Sequence, residues 1–293
     1  MIATQHLSTS QHLPITPEFG VSADGFPVAR IGDTVLALLP ARDGGFFLAG
    51  AWRNHRPLDE LRRDHFYGHD GRVENEIVFR SRVIETAEHM TELSGLSRLE
   101  TQMAASTPWG GSQLATIYAQ GVVRHSTADH GGFHLSCDRN ALVDSTVSAD
   151  GGWYEEDAEW AIVAVTFPDL FTAYERRCAD ETIRNSWPQF WEKIHSRLLR
   201  PGESWSKDRA EFDRIHAEHW VVISAVQSSD HAGMTEVIAT LGGRREAMGT
   251  ERHYLIPRGE YEARGPFGFV IDPERHFAFD GPSSFVGRRA QVA

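Results

Sequence analysis

The order of hydrophobic periodicities constrains this 293-residue chain most. Short apolar runs separated by turn residues come first, segments with apolar residues at helical spacing follow, and short apolar runs return afterwards. Strands, then helices, then strands predict an α+β fold. The expected form is an antiparallel sheet covered on one face by about four helices, preceded by a small β-meander with a helix.

Residues 1–20 are polar with little periodicity and read as a loose N-terminus. Phe26–Ile31 and Thr34–Leu39 flank Gly32-Asp33, a two-residue hairpin signal, and Phe46–Trp52 supplies a third strand. Ile77–Leu93 has helical spacing at Val78, Val83, Ile84, Ala87 and Met90. Ser106-Thr-Pro-Trp-Gly-Gly111 then breaks the pattern and marks an expected domain boundary. Seven of the eight tryptophans lie from Ser106 onward, so residues 106–277 are expected to form the main α+β domain. Residues 21–105 form the smaller segment before it, and 278–293 a C-terminal tail. Within the main domain, Gln113–Tyr118 and Gly121–Ser126 predict a hairpin, with a further strand at Gly132–Leu135. Helices are expected over Tyr154–Val165, Asp169–Asn185, Gln189–Leu199 and Trp205–His219, the last capped by Ser204. Strands are expected at Trp220–Gln227, Thr235–Leu241 and His253–Pro257, and a fourth at Phe267–Ile271.

The charge balance excludes some function classes. Twenty-nine basic against 41 acidic residues give −12, which argues against an extended phosphate-binding face. An acidic surface suits solubility, a basic host protein as partner, or imitation of nucleic acid. Cys137 and Cys178 are too few for a four-thiolate zinc site or a disulfide framework, so a reducing, cytoplasmic setting fits best. The first ten residues lack the basic and apolar regions of a signal peptide, and no run approaches a membrane span. There is no P-loop, no Gly-x-Gly-x-x-Gly, no His-Glu-x-x-His, no Cys-x-x-Cys and no zinc-deaminase signature.

Candidate chemistry concentrates between residues 107 and 160. His125, His130 and His134 fall within ten residues across a predicted hairpin and are candidate ligands for a divalent metal, although their spacing matches no standard zinc signature. The alternative is one buried, hydrogen-bonded histidine with the others exposed. Gly131 and Gly132 permit close backbone approach or positive φ, so their N–H groups are candidate donors to an anionic ligand. With His130 as base, Ser126 or Thr127 becomes a candidate nucleophile, but a tight turn explains the same residues. Glu155, Glu156, Asp157 and Glu159 sit where a helix is expected to start, and there they complement its dipole. On that helix Glu156 would share the apolar face of Trp160 and Val163, an environment that raises a carboxyl pKa and suits acid/base work. His130, Glu156 and Asp157 are therefore the catalytic candidates. Trp109, with the two glycines, is a candidate lining of a cofactor pocket.

Four blocks carry a resemblance: Thr107-Pro-Trp-Gly110, Ser126-Thr-Ala-Asp-His-Gly-Gly-Phe133, Gly151-Gly-Trp-Tyr-Glu-Glu-Asp157 with Glu159-Trp160-Ala161, and Pro201-Gly-Glu-Ser204. With Trp220–Ala225 and Phe267–Pro273, they resemble the DUF7007 domain of unknown function, found in bacterial, plasmid and phage proteins, over about residues 106–277. The resemblance implies a shared fold and brings no activity, cofactor or catalytic residue. The residues themselves favour an enzyme-like domain for hydrolysis or group transfer on a polar or anionic substrate. The alternative is a non-enzymatic acidic accessory protein of plasmid or phage origin that binds a host protein.

Overall fold

The computed structural model describes residues 13–245 and 250–285. Residues 1–12 of the expected loose N-terminus and 286–293 of the expected tail lie outside them. The chain divides into two compact units, Met1–Ile183 and Arg184–Ala293. Its mixture of helices and antiparallel sheets is α+β, as the order of periodicities predicts.

The first unit opens with an antiparallel sheet in sequential order, β1 (Glu18–Val21), β2 (Pro27–Ile31), β3 (Thr34–Pro40), β4 (Phe46–Trp52) and β5 (Arg72–Val73). The expected three-stranded meander is its centre, and Ile31 pairs with Thr34 across the Gly32-Asp33 turn. Strand β3 reads Thr-Val-Leu-Ala-Leu-Leu-Pro without polar alternation because both faces of the sheet are buried. Leu36 and Leu38 pack toward Phe79, Val83 and Ala87 of helix α1 (Glu76–Gly95). Val35, Ala37 and Leu39 face the other way, against Leu58 and Leu61. Asn75 caps α1, its Oδ1 accepting from the N–H groups of Ile77 (2.9 Å) and Val78 (3.1 Å).

A second antiparallel sheet follows in the same unit. Its strands are β6 (Leu99–Thr101), β9 (Leu114–Ala119), β10 (Val122–Ser126), β11 (Gly131–Leu135) and β12 (Trp153–Glu155), in spatial order β12-β11-β10-β9-β6. The short hairpin β7 (Ser106–Thr107) and β8 (Gly110–Gly111) precedes β9, and the single-turn helix α2 (Cys137–Asn140) follows β11. Helices α3 (Trp160–Thr166) and α4 (Ala173–Ser186) come next.

The helix expected from Tyr154 is corrected by this arrangement. Trp153, Tyr154 and Glu155 pair with His134, Phe133 and Gly132, and the helix begins only at Trp160. Alternation of half-buried Trp153 and Glu155 with fully buried Tyr154 is the period of a strand. The Tyr154 hydroxyl reaches Asn140 Oδ1 (2.5 Å) and accepts the Ala149 N–H (3.1 Å), so its burial leaves no polar atom unpaired.

The Arg98–Glu175 ion pair joins the residues after α1 to α4. Arg98 Nη1 and Nη2 donate to the two Glu175 oxygens at 2.8 and 2.6 Å, and Nη2 also reaches Leu170 O. The guanidinium lies 4.1 Å from the Tyr118 ring centroid.

The second unit contains α5 (Pro188–His195), α6 (Trp205–Ile215), the sheet β13 (Trp220–Gln227), β14 (Met234–Leu241) and β15 (Arg252–Pro257), and α7 (Arg258–Glu262). Ser204 caps α6 through Lys207 N, as expected. The strands expected in one sheet are thus shared between two, 114–135 in the first unit and 220–257 in the second. Phe267–Ile271 forms isolated bridges and no strand: Val270 pairs with Val221, and Gly268, at φ +144°, pairs with Gly265. Glu236, fully buried in β14, accepts from Ser283 Oγ (2.7 Å) and Ser284 N (2.6 Å).

Breaking the Arg98–Glu175 pair leaves a largely buried charge alone. Arg98→Met is expected to lower stability by about 3 kcal/mol in urea unfolding, and Arg98→Met with Glu175→Gln by less than the sum of the single losses. Additive losses would show that the two charges do not act as a pair.

Candidate functional site

The β10–β11 hairpin is closed by the turn Thr127–His130. The Thr127 hydroxyl donates to His130 O (2.7 Å) and accepts the His130 N–H (3.2 Å), so this side chain holds the turn. The turn projects the His130 imidazole toward solvent, 56% exposed. On the other side of β11, the register Gly132↔Glu155 brings the end of β12 level with that turn. Glu156 extends the pairing, its N–H donating to Gly131 O (3.1 Å).

The result is a group of three: donor atoms of His130, Glu155 and Glu156 lie within 4.8 Å of one another. His130 Nδ1 is 3.8 Å from Glu155 Oε1. The other Glu155 oxygen accepts the Asp157 N–H (2.8 Å), and the Glu155 N–H donates to Glu159 Oε2 (2.8 Å). The acidic run is therefore a tight turn in which Glu155 and Glu159 bind backbone N–H groups. It is not the first turn of a helix, and Glu156 is not on an apolar helix face. Arg124 Nη2 lies 3.6 Å from Glu156 Oε2. Asp157 is exposed and outside the group of three.

The three histidines do not gather. His125 is 3% exposed, with Nδ1 3.0 Å from Ser112 Oγ. Its ring lies 5.6 Å from Trp153, and the His134 ring lies 4.3 Å from Trp153. Strand alternation accounts for this. His125, Gly132, His134 and Trp153 occupy one face of the sheet, whereas His130 is in the turn beyond the strand ends. His125 and His134 both pack against Trp153, apart from His130. Burial holds the His125 imidazole below its usual pKa, with nearby His134 adding to the effect, and burial does the same for His134.

The paired glycines serve packing, one on each face. A Cβ on Gly132 would stand 2.3 Å from Trp109 Cη2 and 2.3 Å from Tyr154 O. A Cβ on Gly131 would stand 2.6 Å from Glu156 Oε2 and 2.7 Å from His125 O. Neither glycine has positive φ, so they do not form the alternating backbone of an anion nest. Trp109 reaches Gly132 from the β7–β8 turn, which Thr107 holds by donating to Gly110 O (2.8 Å) and accepting the Trp109 N–H (3.1 Å). Its ring meets Trp153 edge-on at 5.8 Å, on the face away from Gly131 and Glu156.

The sequence reading did not single out Arg124. The available signal was alternation in β10, which puts Arg124 and buried His125 on opposite faces.

Residues 102–217 match the model of a domain of unknown function, DUF7007. This stretch holds the β7–β8 turn, the β10–β11 hairpin and the His130, Glu155 and Glu156 group. The blocks at 220–225 and 267–273 lie beyond it. No curated protein and no solved structure matches the chain. Among the described residues no helix is long and apolar enough to cross a membrane.

Gly132→Ala is expected to cost about 3 kcal/mol because both clashing groups are fixed. Gly111→Ala, with open space around it, should change stability by less than about 0.5 kcal/mol. Equal costs in denaturant unfolding would refute the packing role. A pH dependence follows from His125 and His134. Their pKa values are lower in the folded chain, so their contribution is intact above about pH 6.5 and is lost as the pH falls below it. Unfolding measured between pH 7.5 and 5 should show this loss, and His125→Gln should flatten it.

Proposed function

We propose that the 102–217 region carries a cation-assisted site for hydrolysis or group transfer on a small anionic substrate. The observation that supports this is the convergence of one imidazole and two carboxylates, from two separate segments, beside an arginine. One nitrogen and two oxygen donors suit manganese or zinc. Donors around a shared cation lie ~2.0–2.2 Å from it, so binding draws these partly exposed side chains together by rotation. A bound divalent cation supplies Lewis acidity and a more acidic water.

The chain's own residues have separable roles in this reading. Glu155 offers the oxygen turned toward His130, its other oxygen being held by the Asp157 N–H. Glu156 offers a second carboxylate from the opposite side of the strand end. Arg124 binds the anionic group of the substrate. Asp157 is the proton-transfer group, because no ion pair or hydrogen bond engages its carboxylate among the described residues. Trp109 and the paired glycines set the rigid wall behind the site. The exposed free thiol of Cys137 suits a reducing, cytoplasmic setting.

An acidic accessory protein imitating nucleic acid would need rows of free carboxylates. Here Glu85, Glu175, Glu192, Glu203 and Glu211 are each engaged by an arginine or lysine, which favours the enzyme reading.

Calorimetric titration of the full chain with Mn²⁺ and with Zn²⁺ tests the proposal. One site is expected, with His130→Ala and Glu155→Gln each weakening it at least tenfold. Turnover of p-nitrophenyl phosphate or acetate should then require the cation. Absence of binding by both ions, or binding indifferent to both substitutions, would overturn the reading.

A further inference from the structure

A polar cavity lies in the first unit, built mainly from residues before the family match. It measures about 400 Å³ and is lined by Leu36 and Leu48 of the first sheet, Asp70, Arg82 and His89 of α1, and Tyr174 at the start of α4. Glu85 also borders it but is paired with Arg177. Such a volume suits a small metabolite.

Two features make this more than a crevice. First, Asp70 and Arg82 face the same cavity without neutralising each other. Both are exposed to solvent, and among the described residues no ion pair or hydrogen bond engages either side chain's charged end. Second, His89 is held in one orientation. Its Nδ1 lies 2.8 Å from the hydroxyl of fully buried Thr172. The Thr172 oxygen already accepts the Glu175 N–H (3.1 Å), and the hydroxyl hydrogen has His89 Nδ1 as its acceptor. With Nδ1 as that acceptor the imidazole proton is on Nε2, for which the described residues supply no hydrogen-bond partner. The Tyr174 ring, 5.1 Å from that of His89, forms an aromatic wall.

A lone anion in this cavity would face Asp70 and Glu85, and a lone cation would face Arg82. A ligand with both charges replaces the water on both groups with charged partners, and the two leucines accommodate an apolar portion. We propose that this cavity binds a small zwitterion of the α-amino-acid class, its carboxylate held by Arg82 and the Nε2–H of His89 and its ammonium by Asp70. The site is independent of His130, Glu155 and Glu156, so its ligand is a regulator or a separate cargo of the protein and needs no cation.

The test is calorimetry of the full chain against each of the twenty L-α-amino acids in the presence of a chelator. At least one should bind with one-to-one stoichiometry. For a bound amino acid, the matching amine without the carboxylate and the matching acid without the ammonium should each bind at least tenfold more weakly. Asp70→Asn and Arg82→Gln should each weaken binding at least tenfold. The ligand comparison uses the native chain and stands even if a variant fails to fold. Absence of saturable binding by all twenty, or binding that survives removal of either ligand charge, would overturn the proposal.

Discussion

The bidentate contact between Arg98 and Glu175 is the constraint on which much of the first unit depends. Burial pushes the Glu175 carboxyl up, but the Arg98 guanidinium and the Thr172 N–H stabilise its charge and bring the pKa below the usual carboxylate range. The pair does more than offset its own desolvation. Glu175 accepts the Thr172 N–H (2.8 Å) while Thr172 accepts the Glu175 N–H, a reciprocal cap at the start of α4. The hydroxyl in that cap meets His89 on α1. One charge pair therefore orders a helix end and, through it, the hydrogen bonding of an imidazole at a cavity wall.

A different kind of constraint governs the second sheet. Its β11–β12 edge is built around the absence of two side chains. Gly132 lets Trp109 press onto the strand, and Gly131 leaves room for the Glu156 carboxylate on the opposite face. The polar group is thus backed by groups that cannot retreat, Trp109 and the Tyr154 backbone, while its own side chains keep solvent access. Rigid support with exposed donors is the arrangement a ligand site requires, since support fixes position and exposure leaves the ligand a path.

The fold class was legible because strand and helix periods change along the chain in large blocks. The β2–β3 turn, the β10–β11 hairpin, the long helix α1 and the last three strands were all readable from local signals. The segment Trp153–Glu155 was misread because Glu-Glu-Asp-Ala-Glu looks like the first turn of a helix, while the deciding partner, β11, is distant in sequence. The candidate site was legible in part for the same reason. His130 and Glu156 lie in adjacent motifs, but their proximity depends on the pairing of Gly132 with Glu155. His125 and His134 looked equivalent to His130 by composition. Only the alternation of a paired strand, which puts them against Trp153, separates the packing histidines from the exposed one. Asp70 and Arg82 offered no local signal, because an isolated acid and an isolated base in sequence say nothing about a shared cavity.

The contrast among the histidines bears on how such a region can evolve chemistry without losing its fold. His125 is buried, neutral and bonded to Ser112, and its protonation opposes folding. His130 sits in a turn whose geometry is carried by Thr127 and the backbone, so its imidazole is free of structural duty. Substitution at His130 therefore alters the polar group without disturbing the hairpin, whereas substitution at His125 opens the packed face. The same division holds for the carboxylates: Glu159 spends its oxygen on a backbone N–H, Glu175 is committed to Arg98, and among the described residues no hydrogen bond or ion pair engages the Asp157 carboxylate. Function is most readily assigned where side chains converge and the fold does not need them.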